Sequence, residues 1–251
     1  MPGVATAGAL GEKSGGAGVG SPSAGIPIGK QLRQVACGEA HIVAWSRDGR
    51  LFTYGDHSSG QLGHGDKEDQ YLPKRVEGLQ ERVCNVAAGR CHSLSIGSSG
   101  ALYSWGWGGK GRLGHGDEED QLLPRRVEGL QERACSVAAG DFHSLAIGSS
   151  GTLYSWGTGV EGRLGHGDEA GRYLPTQVDG VAARVCAVTA GTDHSVAIAT
   201  DGRAWGWGFG RDESLGLRLT EHQLEPLEYN RLLVARRRDR GKRIAPNHRN
   251  K

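Results

Sequence analysis

Histidine is the residue whose spacing first suggests chemistry in this sequence, because an imidazole can carry a proton or bind a metal ion near neutral pH. Two sets of histidines recur at intervals of 51 residues. The members of the first set are His41, His92, His143 and His194. The members of the second set, each followed by glycine and aspartate, are His64, His115 and His166, while the fourth copy has Leu217. Such regularity is consistent with a structural role for these histidines as well as with a chemical one.

The spacing disfavours a metal centre. A zinc-type site needs three or four ligands around one point, whereas these copies lie on successive units of the chain. We therefore predict neither a metal nor a cofactor. The first set is predicted to be buried, with each imidazole bonded to a backbone carbonyl of the neighbouring sheet. The second set is predicted to occupy tight Gly-His-Gly-Asp turns that the aspartate caps.

Other signatures of catalysis are missing from the sequence. There is no phosphate-binding loop of the Gly-x-x-x-x-Gly-Lys-Ser/Thr type and no Gly-x-Ser-x-Gly nucleophile turn. The five cysteines form no Cys-x-x-Cys pair, and three of them share one repeat position, namely Cys84, Cys135 and Cys186. These features predict a non-catalytic protein in a reducing compartment, the cytoplasm or the nucleus.

The elements that would position these residues belong to a duplicated unit. Residues 34–226 repeat every 51 residues without insertion or deletion, and segments 84–134 and 135–185 are identical at 32 of 51 positions. A unit copied at constant spacing indicates an array in which each copy packs on its neighbours.

Each unit is predicted to contain four short strands separated by turns. In the second unit, strands are expected at residues 83–88, 92–96 and 102–105, with a fourth around 125–127 after Pro124. The glycine-rich stretch 107–117 is expected to be irregular. Aromatic residues at two fixed positions of every unit supply its core. An all-β chain with four strands per repeat is typical of a β-propeller blade.

Composition divides the chain into three regions. Residues 1–30 are mostly Gly, Ala, Ser and Pro and are predicted to be a disordered leader. Residues 31–230 hold the four repeats. Residues 231–251 carry nine Lys/Arg against one Asp and are predicted to be a disordered basic tail, although the whole chain has a net charge of only +2. No apolar run is long enough for a membrane span, so no membrane partner is predicted.

The repeated strings Ala-Gly-x-x-His-Ser-Leu-x-Ile, Gly-x-Leu-Tyr-Ser-Trp-Gly, Gly-x-Leu-Gly-His-Gly-Asp and Leu-Pro-x-x-Val resemble the repeat of the regulator of chromosome condensation family. The resemblance covers about residues 34–230. It implies a propeller of seven antiparallel blades, of which this chain supplies four. We predict a partial propeller, as an open arc in preference to a closed four-bladed ring.

The resemblance also implies a choice of functions. Members of the family include a nucleotide exchange factor for the small GTPase Ran, a plant ultraviolet-B photoreceptor and modules of large ubiquitin ligases. The photoreceptor has tryptophans in Gly-Trp-Arg-His-Thr motifs. The matching stretches of this chain, such as 38–42 and 89–93, contain no tryptophan, so ultraviolet perception by that mechanism is not expected. An exchange-type β-hairpin insertion would break the 51-residue spacing, which is unbroken from His41 to Pro226.

Surface loops remain as the candidate binding residues. Acidic residues recur at one loop of the first three units and are expected to form a negative strip facing a basic partner such as a chromatin protein. These residues are Asp66, Glu68, Asp69, Asp117, Glu118, Glu119, Asp120, Asp168 and Glu169. Plain solvation of an exposed loop is the alternative interpretation. The positions before the first-set histidines vary most between units, and the candidates there are Arg90, Asp141, Phe142 and Asp193.

The basic tail predicts nuclear import or contact with a polyanion. The alternative interpretation is a solvated terminus without a function. Its candidate residues are Arg236, Arg237, Arg238, Arg240, Lys242 and Arg243. Nucleic acid is expected to be contacted only there. The leading hypothesis is a non-catalytic protein-interaction scaffold that binds another protein through loops on one face. The alternative is a guanine-nucleotide exchange factor or regulator for a Ran-like small GTPase.

Overall fold

The computed structural model of the protein describes residues 31–210, 215–216 and 221–229. The predicted leader, residues 1–30, and the predicted tail, residues 231–251, lie outside these ranges. Within them the chain forms sixteen β-strands and two 3₁₀ turns. The helical turns of this described part are only three residues long, and none of its helices is long and apolar enough to cross a membrane.

The strands form four sheets, one from each repeat. The first sheet contains β1 (Leu32–Cys37), β2 (His41–Ser46), β3 (Leu51–Gly55) and β4 (Gln70–Arg75). The second contains β5 (Val83–Ala88), β6 (His92–Gly97), β7 (Leu102–Gly106) and β8 (Gln121–Arg126). The third contains β9 (Ala134–Ala139), β10 (His143–Gly148), β11 (Leu153–Gly157) and β12 (Arg172–Gln177). The fourth contains β13 (Val185–Ala190), β14 (His194–Ala199), β15 (Ala204–Gly208) and β16 (Gln223–Glu228).

Each sheet is an antiparallel meander in which the strands pair in chain order. The register is the same throughout: the histidine that begins the second strand pairs with the glycine that ends the third, as His92 does with Gly106. Gly106 has a φ of 104°, a region that favours glycine because other residues have a Cβ. The predicted all-β fold of four-stranded antiparallel blades is confirmed.

The fourth strand of each blade begins earlier than predicted. In the second sheet β8 starts at Gln121, and Pro124 lies inside the strand. The pairing is irregular there, since Gln121 lies opposite Gly106 but Arg125 lies opposite Ser104. This bulge on the edge strand accommodates proline, which has no N–H to give to a ladder.

The hydrophobic core lies in the seams between successive sheets. Trp105 of the second sheet is fully buried and packs with Val43 of the first, and Trp156 of the third is fully buried against Leu94 of the second. A third cluster joins the third and fourth sheets. Burial of this apolar surface is what holds an array of sheets together, because each sheet alone leaves its faces in water.

The described sheets form an open arc. Substantial packing joins successive sheets, while the described strands of the first and fourth sheets show no packing of that extent. The seam position occupied by Ile96 and Ile147 is 0% and 3% exposed, but its copy in the last sheet, Ile198, is 44% exposed. At the other end Tyr71 is 89% exposed, although its copy Tyr173 is covered in part by the preceding sheet. These are the two free ends of a partial propeller.

Candidate protein-binding face

The first set of histidines ties each sheet to the next. Nε2 of His92 lies 2.9 Å from Oγ of Ser144 in the third sheet. The hydroxyl of Ser144 donates to the carbonyl of Arg112 at 2.9 Å, so its oxygen accepts the proton of His92 Nε2. The indole of Trp156 donates to the same carbonyl. His41 with Ser93 and His143 with Ser195 repeat this arrangement, each at 2.9 Å.

These imidazoles are neutral. Burial lowers the pKa of His41 to about 4 and that of His143 to about 3, and it holds the pKa of His92 well below the ordinary value. The predicted structural role therefore stands, but the predicted bonding partner was wrong. The imidazole bonds a serine hydroxyl of the next sheet, and it is the serine that reaches the carbonyl.

The second set of histidines lies at the outer turns. His115 Nε2 is 3.0 Å from Oγ of Ser104, whose hydroxyl donates to the carbonyl of Leu113. Asp117 accepts the backbone N–H of Glu119 at 3.0 Å, so the aspartate caps the turn that follows. His64 and His166 bond Thr53 and Ser155 in the same way. These imidazoles fasten the turn to the third strand of their own sheet.

A glycine before each first-set histidine controls the path of the backbone. The N–H of Gly89 donates to the carbonyl of His92 at 2.9 Å. A Cβ on Gly89 would overlap the His92 ring and the carbonyl oxygen of Gly140, so only glycine fits between them. The two residues after the glycine are therefore presented at the surface by a backbone that is the same in every blade.

We call the surface formed by these paired residues the axial face. Its members are Glu39, Ala40, Arg90, Cys91, Asp141, Phe142, Thr192 and Asp193. The first residue of each pair borders one groove of about 340 Å³, together with the glycines and the ends of the first strands. Arg90 bonds Glu39 at 2.8 Å across the first seam, and its guanidinium carbon lies 5.8 Å from the centre of the Phe142 ring. Four of the predicted candidates, Arg90, Asp141, Phe142 and Asp193, are therefore brought to one face.

Comparison with known proteins agrees with this architecture. Residues 3–244 match the RCC1-like domain family. The chain belongs to that family. It is 34% identical over 203 residues to the ultraviolet-B receptor UVR8 of Arabidopsis thaliana, covering 80% of this chain and 46% of the receptor. It is 38% identical over 197 residues to the human E3 ubiquitin-protein ligase HERC2, covering 76% of this chain and 4% of the ligase.

Among solved structures, the RCC1-like chain is similar to yeast Prp20p. The crystal structure of Prp20p from Saccharomyces cerevisiae aligns with a TM-score of 0.70 and 29% identity, covering 80% of this chain and 50% of that one. The complex of Kap60 with yeast RCC1 (Prp20) aligns with a TM-score of 0.69 and 28% identity, covering 80% and 49%. The RCC1-like chain thus spans about half the length of UVR8 and of Prp20p.

The acidic residues of the predicted strip lie on equivalent outer loops, and most of their carboxylates are engaged within the protein. Asp69 and Asp120 accept backbone N–H groups of their own blades. Glu118 accepts the hydroxyl of Tyr173 from the next blade at 2.9 Å. Asp66, Asp117 and Asp168 face the basic side chains of Lys74, Arg125 and Arg172.

Glu68 and Glu119 differ from the other carboxylates of the strip. Both are exposed, and among the described residues their side chains make neither a hydrogen bond nor an ion pair. Glu169 accepts the N–H of Glu161. The strip is therefore a set of structural carboxylates with two free members, Glu68 and Glu119.

Sequence reasoning missed two residues beneath the axial face, Trp107 and Arg112. The Arg112 guanidinium lies 3.8 Å from the centre of the Trp107 ring and 4.7 Å from that of Phe142. Arg112 is fully buried, which is unusual for arginine. The sequence signal was present, because the first unit has Gln61 where the second and third have Arg112 and Arg163.

Proposed function

We propose that this RCC1-like chain is a non-catalytic protein-interaction module whose partner docks on the axial face. The observation that carries the proposal is the contrast at that face between backbone and side chains. Glycine, histidine and serine hold the same backbone path in successive blades, while the presented residues change from Glu39 to Arg90, Asp141 and Thr192. A constant frame with varied side chains is what recognition of one particular partner requires.

The comparisons support a protein as the partner. The structure of Prp20p was described together with its binding properties to Gsp1p and histones, and yeast RCC1 (Prp20) was solved bound to Kap60. We extend to this chain only the kind of partner. The strip's free carboxylates, Glu68 and Glu119, make a basic protein of the chromatin type the candidate for the outer loops.

Proximity labelling in cells tests both surfaces. The axial variant is Glu39→Ala with Arg90→Ala, which removes both members of an ion pair. The matched outer-loop variant is Glu68→Ala with Glu119→Ala. We expect proteins labelled by the wild type to fall by at least about fivefold with the axial variant, because the contact surface is lost. Unchanged labelling by the axial variant contradicts docking there, and loss of basic proteins with the second variant assigns them to the outer loops.

A second candidate function is nucleotide exchange or regulation of a Ran-like small GTPase. The similarity to Prp20p, with its described binding to Gsp1p, favours it. Against it, the hairpins of the four sheets are equal in length, and no exchange-type insertion interrupts the described strands. Release of a fluorescent GDP analogue from Ran separates the two candidates, since clear acceleration by this chain overturns the non-catalytic proposal.

For the basic tail we propose nuclear import or polyanion contact, which gives a protein divided between nucleus and cytoplasm. The support is its charge, nine Lys/Arg against one Asp in residues 231–251. Deletion of residues 235–251 is expected to lower the nuclear fraction of a fluorescent fusion. An unchanged distribution contradicts the import role.

A further inference from the structure

Two buried arginines at the same repeat position differ in whether a carboxylate pairs with them. Arg163 lies between two carboxylates, with Nη2 at 3.2 Å from Glu161 and Nη1 at 2.5 Å from Asp193. Its charge is therefore neutralised within the chain, as is usual for buried arginines.

Arg112 lacks both of those carboxylates. The positions that correspond to Glu161 and Asp193 hold Lys110 and Phe142 in its repeat. Arg112 donates from Nε to the carbonyl of Gly109 at 2.8 Å and from Nη1 to the carbonyl of Asp141 at 2.6 Å. Its Nη2 is buried without a hydrogen-bond partner, and within the described residues Arg112 forms no ion pair.

A buried guanidinium without a carboxylate is costly. Burial lowers the pKa of Arg112 to about 10, so the side chain still carries its charge at neutral pH. The faces of Trp107 and Phe142 offer partial compensation through cation–π contact. Asp141 and Arg90 also lie near enough to affect the charge of Arg112, with opposite sign.

The fold does not need a cation at this position. The serine and the tryptophan of the next sheet bond only the backbone carbonyl of the residue, and the Arg112 side chain adds one bond across the seam, to the carbonyl of Asp141. Gln61 supplies the same carbonyl in the first repeat with a neutral side chain that is 1% exposed. The charge of Arg112 and its missing counterion therefore call for a reason other than packing.

We infer that Arg112 is a binding site for a carboxylate that a protein partner supplies, an Asp or Glu side chain next to an apolar residue. The carboxylate reaches the unpaired Nη2 of Arg112 when the half-buried Phe142 ring, which stands at the position of Asp193, turns aside, and the apolar neighbour packs on Trp107 and Phe142. Both rings are half-buried at the surface, and the guanidinium carbon of Arg90 lies 5.8 Å from the centre of the Phe142 ring. This inference rests on the proposed function, because it names the chemistry that the axial face recognises.

The test uses an array of random twelve-residue peptides, each printed beside a version in which every Asp and Glu is changed to Asn and Gln. Wild-type protein is expected to bind a subset of the acidic peptides and to lose at least about tenfold in affinity for their amide versions, as expected for a buried charge pair. Arg112→Gln, which places the residue of the first repeat at this position, is expected to lose the same tenfold. Arg163→Gln is the matched control and keeps acidic peptide binding within about twofold, since its charge is already paired.

A second variant tests the missing counterion without any ligand. Phe142→Asp imports the carboxylate of the fourth repeat, so it is expected to neutralise Arg112 internally, to raise the midpoint of thermal unfolding and to abolish the preference for acidic peptides. An unchanged or lower midpoint, together with destabilisation by Asp141→Asn, means that Asp141 already pairs with Arg112 and overturns the inference.

The outcomes distinguish the inference from the proposed function. If wild-type protein binds peptides but treats acidic and amide versions alike, the carboxylate site is wrong and docking on the axial face survives. If Glu39→Ala with Arg90→Ala abolishes partner labelling while Arg112→Gln leaves it unchanged, the same conclusion holds. If wild-type protein binds no peptide, the inference fails, and the labelling experiment alone decides the proposed function.

Discussion

His92 Nε2 donates to Ser144 Oγ across 2.9 Å, and this bond joins two blades whose partners are 52 residues apart in sequence. The same serine donates onward to the carbonyl of Arg112, so one hydroxyl connects the histidine of one sheet to the loop that carries the buried arginine. The backbone that presents the axial face is therefore held by a buried chain of hydrogen bonds, from His92 to Ser144 and from Ser144 to the carbonyl of Arg112.

Replacement of Ser144 by alanine tests that chain. The change leaves the Nε2 proton of His92 buried and unpaired, while the Arg112 carbonyl keeps its bond from Trp156. We expect the free energy of unfolding to fall by about 1–3 kcal/mol, measured by chemical denaturation. Ser98→Ala, at an exposed turn, is the matched control and is expected to change it by less than about 0.5 kcal/mol. Equal effects of the two changes contradict the seam role of Ser144.

Stability is expected to depend on pH through the seam histidines. Their pKa values are lower in the folded protein than the ordinary value of about 6.5, to about 4 for His41 and about 3 for His143. The unfolded chain therefore binds more protons below pH 6.5, and stability present above that pH is lost as the pH falls toward 4. Each such histidine contributes a slope of about 1.4 kcal/mol per pH unit.

The measurement is the free energy of unfolding from chemical denaturation at pH 8, 7, 6, 5 and 4.5. A plateau above pH 7 and a steep fall below 6.5 are expected. His143→Gln is expected to reduce the slope between pH 6 and 5 by about one proton. Partial burial raises the pKa of Glu132, but hydrogen bonds from Ser149, Ser150 and Thr152 outweigh it and lower the pKa to about 2. Protonation of Glu132 therefore adds a further loss of stability below about pH 4.5. Stability that rises between pH 7 and 5 contradicts the neutral, buried imidazoles.

Gly89 is predicted to tolerate no side chain. A Cβ there overlaps the His92 ring and the backbone carbonyl oxygen of Gly140. Gly89→Ala is expected to cost at least about 3 kcal/mol, at the upper end for an overpacked core. Gly171→Ala is the control, because the other repeats carry Asp69 and Asp120 at that position and the nearest atom to its Cβ is 3.3 Å away. Comparable losses in both variants, measured by chemical denaturation, contradict the close packing at Gly89.

Much of the fold could be predicted from the sequence, because the 51-residue repeat reports the same structure four times. The bounds of β5 agree with the prediction at Val83 and Ala88, where an apolar run meets a turn glycine. The start of β8 was missed because Pro124 is usually read as a strand start. Its position in a bulge depends on pairing with β7, which local sequence does not reveal.

The binding face could be predicted only in part. The variable pairs before each histidine pointed to the right loops, since repeats reveal variation by direct comparison. Comparing the repeats could not predict that Arg112 lacks an ion pair, because positions 110, 112 and 142 meet only when two blades pack together. Whether the acidic strip and the axial residues bind a partner stays a prediction.

The open arc makes a prediction for two tyrosines at one repeat position. Tyr173 packs against Gly111 of the preceding blade and donates to Glu118, whereas Tyr71 belongs to the first described blade and is 89% exposed. Tyr71→Ala is expected to change the free energy of unfolding by less than about 0.5 kcal/mol, while Tyr173→Ala causes a clearly larger loss in the same denaturation experiment. In a closed four-bladed ring the fourth blade would cover Tyr71, so the two substitutions would cost alike. Equal losses therefore contradict the open arc, and small-angle scattering would then show a compact disc.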